Sequence, residues 1–296
     1  SKLYLGRKNI RKNSTFRNLL VHHQLDGTFN PNSYCIFWLD FSKKQELILS
    51  KFYSTFVVIK HQMKRLLYIL FLLFANSFLY SQFDTEHWIA PFSDKTSVQN
   101  PEQYLYLSTN KTTPFEVEIY NNNTLYKKVS ISKGNPGIVP IDRDLIISSD
   151  LANLFIPNKM GLHLIADYKF FAHLRFSVMS HAEIITSKGK AGLGNEFYAY
   201  TPVNNYYAGN ANSTVGIIAS EDNTTITLDH FNDNTTLSNG DTVDQTTVKT
   251  ISLNKGQSYI LETSAFSERN LLGLNTLHIK SNKPIAVTNG NFNFIA

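Results

Sequence analysis

The stretch "TVGIIASEDNTTITLD", residues 214–229, decides the fold. Two β-type runs, Thr214–Ala219 and Thr224–Asp229, flank the short polar residues Ser220 to Asn223. β-branched and apolar side chains favour extended backbone. Asp222 and Asn223 close tight turns by hydrogen-bonding nearby backbone. The expected unit is therefore strand–turn–strand.

The same grammar extends outward across the chain. Tyr104–Ser108 (YLYLS), Phe115–Tyr120 (FEVEIY), Thr247–Leu253 (TVKTISL) and Asn275–Ser281 (NTLHIKS) are further runs of this kind. In FEVEIY, Phe115, Val117 and Ile119 alternate with Glu116, Glu118 and Tyr120, the period of two that gives a strand one buried face. Turn signals such as Asn121-Asn-Asn and Gly134-Asn-Pro-Gly137 separate the runs. After residue 83 no long amphipathic helix is legible, and the short Asp150–Phe155 is the one helical candidate.

The runs recur in order. "EHWIAPF" (86–92) matches "NEFYAYTP" (195–202), and "LHLIADYKFFAHL" (162–174) matches "LHIKSNKPIAVTN" (277–289). "VSISKGNPGIVPI" (129–141) matches "ISLNKGQSYILE" (251–262), which sets Lys133-Gly134 against Lys255-Gly256, each between two strands expected to pair. About seven short strands per half suit a β-sandwich. The expected architecture is all-β: two tandem antiparallel β-sandwich-like repeats, residues 83–190 and 191–296. A single larger β structure such as a propeller is the alternative.

Residues 63–82 read as a secretory signal. Lys64 and Arg65 precede the apolar run Leu66 to Phe74, and small residues follow, with cleavage expected after Ser81 or Ser77. The run is too short for a membrane span. Because such signals open nascent chains, residues 1–62 read as upstream sequence outside the natural product, or else as a disordered extension. The whole chain carries a net charge of +5 and a pI near 9.0. Residues 83–296 hold 16 Lys and Arg against 20 Asp and Glu, a net of −4, which removes any argument for nucleic-acid binding. The one cysteine, Cys35, lies upstream, so neither disulfide nor thiol chemistry is expected after cleavage.

The segments "KGKAGLGNEFYAYTP", "VGIIASEDNTTITL", "ISLNKGQSYILE" and "GLNTLHIKSNKPIAVTNGN" together resemble the IgGFc-binding protein N-terminal domain family. The likeness is close over 189–291 and looser over 83–180, where Asp167-Tyr-Lys-Phe-Phe171 replaces the family's Lys-Pro-Ile segment. The resemblance includes a hairpin at the 214–229 stretch. It implies a non-catalytic, secreted or cell-surface adhesion module, like the N-terminal parts of large gliding-motility-associated bacterial proteins, with a protein or glycan partner.

Candidate chemistry is sparse. Glu221-Asp-Asn-Thr-Thr225 lacks the acids and glycine of a calcium loop, and Asp229 to Asn234 reads likewise as a turn. Gly189 to Gly194 lacks the ending of a phosphate loop and reads as a flexible connector. The histidines at 87, 163, 173, 181, 230 and 278 show no zinc spacing, and His163 and His278 read as ordinary sheet residues. No catalytic residue, metal or cofactor is expected. Among the aromatics, Trp88 and Tyr198 are expected in the core. The expected ligand-binding loop is Asn204, Asn205, Tyr206 and Tyr207, because loops carry binding on sandwich folds. A passive spacer of a surface protein and an accessory domain of a secreted hydrolase are the alternative functions.

Overall fold

Phe115, Val117 and Ile119 point inward from β4 (Phe115–Asn121), as their alternation with more exposed glutamates predicts. Such strands build an all-β fold in the computed structural model, which describes residues 59–60, 62–68, 82–94, 103–178, 181–201, 212–264 and 267–292. The chain divides into two units, Ser1–Leu73 and Phe74–Ala296. In the first, the described residues 59, 60 and 62–68 are helical and exposed. Most of the expected signal, and nearly all of 1–62, lies outside the described residues. Among the described residues no helix is long and apolar enough to cross a membrane.

In the second unit, one curled antiparallel sheet is organised by β8 (Leu162–Val178), a strand of 17 residues. Its first part lies between β1 (Asp84–Ile89) and β4, and β4 pairs outward with β5 (Thr124–Ile131). From Phe171 onward β8 lies between β3 (Gln103–Ser108) and β9 (His181–Thr186), and β3 pairs outward with β6 (Gly137–Pro140). The partners change between Ala166 and Phe171, so β8 belongs to both arms of the sheet. Leu105, Leu107, Val117, Ile119, Leu164, Phe170 and Leu174 fill the space between the arms.

A second sheet is built the same way on β17 (His278–Phe292). β17 pairs first with β10 (Gly194–Tyr198) and β12 (Thr224–Asp229), and from Ile285 with β11 (Asn212–Ala219). β15 (Lys249–Leu253) and β16 (Ser258–Glu262) form the outer strands, and two short pairs, β2 (Phe92–Ser93) with β7 (Ile147–Ser148) and β13 (Thr235–Thr236) with β14 (Thr242–Val243), lie outside both sheets. The order β15-β12-β17-β11-β16 lays over β5-β4-β8-β3-β6 strand for strand. Val215, Ile217, Ile226, Leu228, Ile279 and Ile285 fill this second core.

Three local expectations change. β11 and β12 do not form the expected hairpin, because they flank different parts of β17 and the 220–223 segment arches between the two arms. Asn223 supplies the left-handed residue of that turn (φ 55°). Asp222, however, accepts from the backbone N–H of Lys255 in a neighbouring turn, at 3.0 Å. The Lys133-Gly134 and Lys255-Gly256 turns occupy corresponding places, but each joins outer strands of opposite arms rather than a pair. The stretch "SNKPIAVTNG" (281–290) reads as a turn with Pro284 opening the next strand, but Pro284 does not begin one. It lies within β17 between the stretches paired to β12 and to β11, where its missing N–H removes no ladder bond.

The two sheets meet through the chain leaving β1. Ala90 and Pro91 cross the outer face of β11 and β17, and Trp88, Ala90, Ile218 and Ala286 form a small apolar cluster there. A Cβ on Gly216 would stand 1.6 Å from the Pro91 carbonyl oxygen, so only glycine permits this approach. Ser93 donates to the buried Glu262 carboxylate, and its backbone N–H donates to Thr214 Oγ1 at 3.2 Å. The expected flexible connector is a turn pinned to β1, where the N–H of Lys190 donates to Asp84 Oδ2 at 2.8 Å.

Candidate functional site

The outer face of the second sheet brings Glu196, Tyr198, Asp229 and His278 together by cross-strand register. Tyr198 on β10 and Asp229 on β12 stand opposite His278 on β17, one on each side. Directly opposed side chains in a sheet are close enough to touch. Glu196 shares this face two residues before Tyr198, and Phe197, Leu228 and Ile279 take the opposite face into the core.

Both ring nitrogens of His278 face carboxylates. Nδ1 lies 2.8 Å from Asp229 Oδ1, and Nε2 lies 2.8 Å from Glu196 Oε1. The Tyr198 ring stacks on the imidazole with centroids 4.7 Å apart. Just past β12, His230 adopts a left-handed backbone (φ 58°) that turns its ring back, and its Nδ1 lies 2.5 Å from the same Asp229 oxygen. Non-glycine residues are uncommon in that region, and histidine is among those that enter it most readily. Donor atoms of Asp229, His230 and His278 all lie within 4.8 Å of one another.

The electrostatics follow from these contacts. Burial disfavours the charged His278 ring, but its hydrogen bonds to Glu196 and Asp229 outweigh that and raise its pKa above the ordinary histidine value. The hydrogen bond from His230, reinforced by His278, holds Asp229 below the usual carboxylate range.

The first sheet carries a related arrangement. Trp88 and Tyr120 stand opposite His163, the Trp88 ring stacks on the imidazole at 3.8 Å, and Glu86 Oε1 lies 2.9 Å from Nε2. Tyr120 takes the place of Asp229, so His163 faces one carboxylate. Burial dominates there and lowers the His163 pKa. The two faces differ most in cover. Trp88 and Ala90 are 5% and 1% exposed beneath the second sheet, whereas Tyr198 and Tyr200 at the matching places are 65% and 66% exposed.

Trp88 is therefore buried, though between the sheets rather than inside one, and Tyr198 is not buried at all. The expected binding loop, Asn204, Asn205, Tyr206 and Tyr207, lies outside the described residues. The histidine cluster escaped sequence reasoning because its members come from three strands and share no local spacing. The usable signal was the recurrence of Glu86 and His163 as Glu196 and His278 in the matched segments.

A family model described as IgGFc binding protein matches residues 182–295, in agreement with the resemblance carried by 189–291. The matched residues include every strand of the second sheet, from Gly194 in β10 to Phe292 in β17. No curated protein and no solved structure matches the chain.

Proposed function

We propose that this chain is a non-catalytic protein-binding module, secreted or displayed at the cell surface, that meets its partner through the Tyr198–Tyr200 face of the second sheet. The family match supports a binding or adhesion role, and the signal-like residues 63–82 support export. The single observation that carries the choice of face is its openness. Two large aromatics stand in solvent where the first sheet keeps Trp88 and Ala90 covered by its neighbour. Tyrosines offer rigid amphipathic contact area at small entropic cost and are enriched in interfaces. The matching strand orders further support two copies of one module, one face used internally and its counterpart left for a partner.

The test is surface capture. The chain is immobilised and probed with extracellular proteins, an immunoglobulin Fc fragment among them, and with a glycan array. The expected result is saturable protein binding that falls at least tenfold in Tyr198→Ala and Tyr200→Ala. Binding that ignores both substitutions, recognition of glycans alone, or turnover in a hydrolase panel contradicts the proposal.

A further inference from the structure

We propose that Asp229, His230 and His278 form a binding site for one divalent transition-metal cation, Zn²⁺ being the best fit, with Glu196 as a positioning residue behind His278. The inference stands independently of the partner-binding role. Its starting point is a mismatch of donors and acceptors. A neutral imidazole donates through one nitrogen only, yet His278 presents both nitrogens to carboxylate oxygens at 2.8 Å. One side needs a second proton or a cation. The Nδ1 atoms of His278 and His230 also converge on one oxygen, Asp229 Oδ1, so two imidazole nitrogens and a carboxylate oxygen gather at a single point.

A cation among these atoms resolves that mismatch. The neutral His278 ring would donate Nε2–H to Glu196 and turn its Nδ1 lone pair toward Asp229 and His230. That carboxylate–histidine–metal relay recurs in zinc sites, where the outer carboxylate fixes the tautomer and the ring orientation. Two imidazoles and a carboxylate are the donor set that Zn²⁺ and its neighbours in the transition series prefer over Ca²⁺ or Mg²⁺, which seek oxygen cages. Three protein ligands leave a tetrahedral ion one further position.

The surroundings supply rigidity and an internal control. The stacked Tyr198 ring limits rotation of His278, and the left-handed backbone at residue 230 aims the second imidazole inward. Lys280, exposed and opposite both Glu196 and Thr227, is the one positive charge contributed to this face by β17 beside His278, and it opposes a cation from the Glu196 side. In the first sheet the Glu86–His163 pair has Tyr120 where Asp229 stands. That half keeps the outer carboxylate and lacks the ligands.

The full chain, stripped with a chelator, is titrated with ZnCl₂ by calorimetry, and Co²⁺ reports coordination through its visible absorption. One Zn²⁺ is expected to bind, giving tetrahedral Co²⁺ bands, with no saturable binding of Mg²⁺. Asp229→Asn and His230→Asn should each weaken Zn²⁺ at least 100-fold. Asparagine suits the second position because it tolerates the left-handed backbone that residue 230 adopts. Glu196→Gln should weaken binding about 10- to 100-fold, keep the one-to-one stoichiometry and shift the pH at which Zn²⁺ binds. Glu86→Gln should change nothing. Absence of saturable Zn²⁺ binding overturns the proposal. So does binding that survives Asp229→Asn and His230→Asn in variants whose circular dichroism matches the parent, since the metal then sits on histidines elsewhere.

Discussion

At the scale of single residues, two histidines on matching strands are placed in opposite electrostatic surroundings. His163 is held below the ordinary value because burial outweighs its one carboxylate, whereas hydrogen bonds donated to two carboxylates raise His278. The consequences for stability have opposite signs. A raised folded-state pKa contributes stability that is present below about pH 6.5 and is lost as the pH rises through the folded value. A lowered one costs stability as the pH falls below about 6.5, because the unfolded chain then takes up the proton first. Imidazole titration by NMR in chelator-containing buffer should place His278 above and His163 below the ordinary range, and the reverse order would contradict the assignment of contacts. Two glycines separate space from backbone conformation. Gly216→Ala forces a Cβ against the Pro91 carbonyl and should cost about 3 kcal/mol or more, at the upper end for overpacking. Gly134→Ala meets nothing within 4 Å but holds φ at +83°, so about 1 kcal/mol is expected. Urea denaturation ranks the two, and an equal loss would show that the Pro91 contact relaxes.

At the scale of elements, β17 shows what alternation can and cannot say. Ile285 is fully buried and Val287 packs on the core, as the sequence predicts for that face. The opposite face does not meet bulk solvent. Ala286 joins the apolar cluster between the sheets, and the Thr288 hydroxyl donates to the Ala90 carbonyl at 3.3 Å. Ile285→Asp should therefore destabilise by several kcal/mol, as a buried charge without a partner does. Thr288→Asp should cost about 1–3 kcal/mol, because it sets a carboxylate against a carbonyl oxygen and leaves that acceptor unpaired. Thermal melts of both variants test this, and a Thr288→Asp protein as stable as the parent would mean the sheets part at this point. The strands themselves were legible because FEVEIY and its relatives carry their own period. Their partners were not, since β11 and β12 look like a hairpin and instead flank one bent strand. The change of partner along β8 and β17 depends on contacts more than 40 residues away in sequence.

For the whole molecule, the same β1-type face is used in two ways. In the first half it is closed by the second sheet through Trp88, Ala90, Ile218 and Ala286, and in the second half it is open around Tyr198, Tyr200 and the histidine cluster. Strand alternation places both Trp88 and Tyr198 inside. Only the packing of one sheet on the other distinguishes them, and no local pattern encodes which copy is covered. That asymmetry underlies the proposed binding face and is the central claim. Hydroxyl-radical footprinting of the full chain, read residue by residue by mass spectrometry, tests it most directly. Tyr198 and Tyr200 should be oxidised readily, while Trp88 stays protected despite the high intrinsic reactivity of indole. Oxidation of Trp88 at a rate similar to Tyr198, or protection of both tyrosines, would contradict the account.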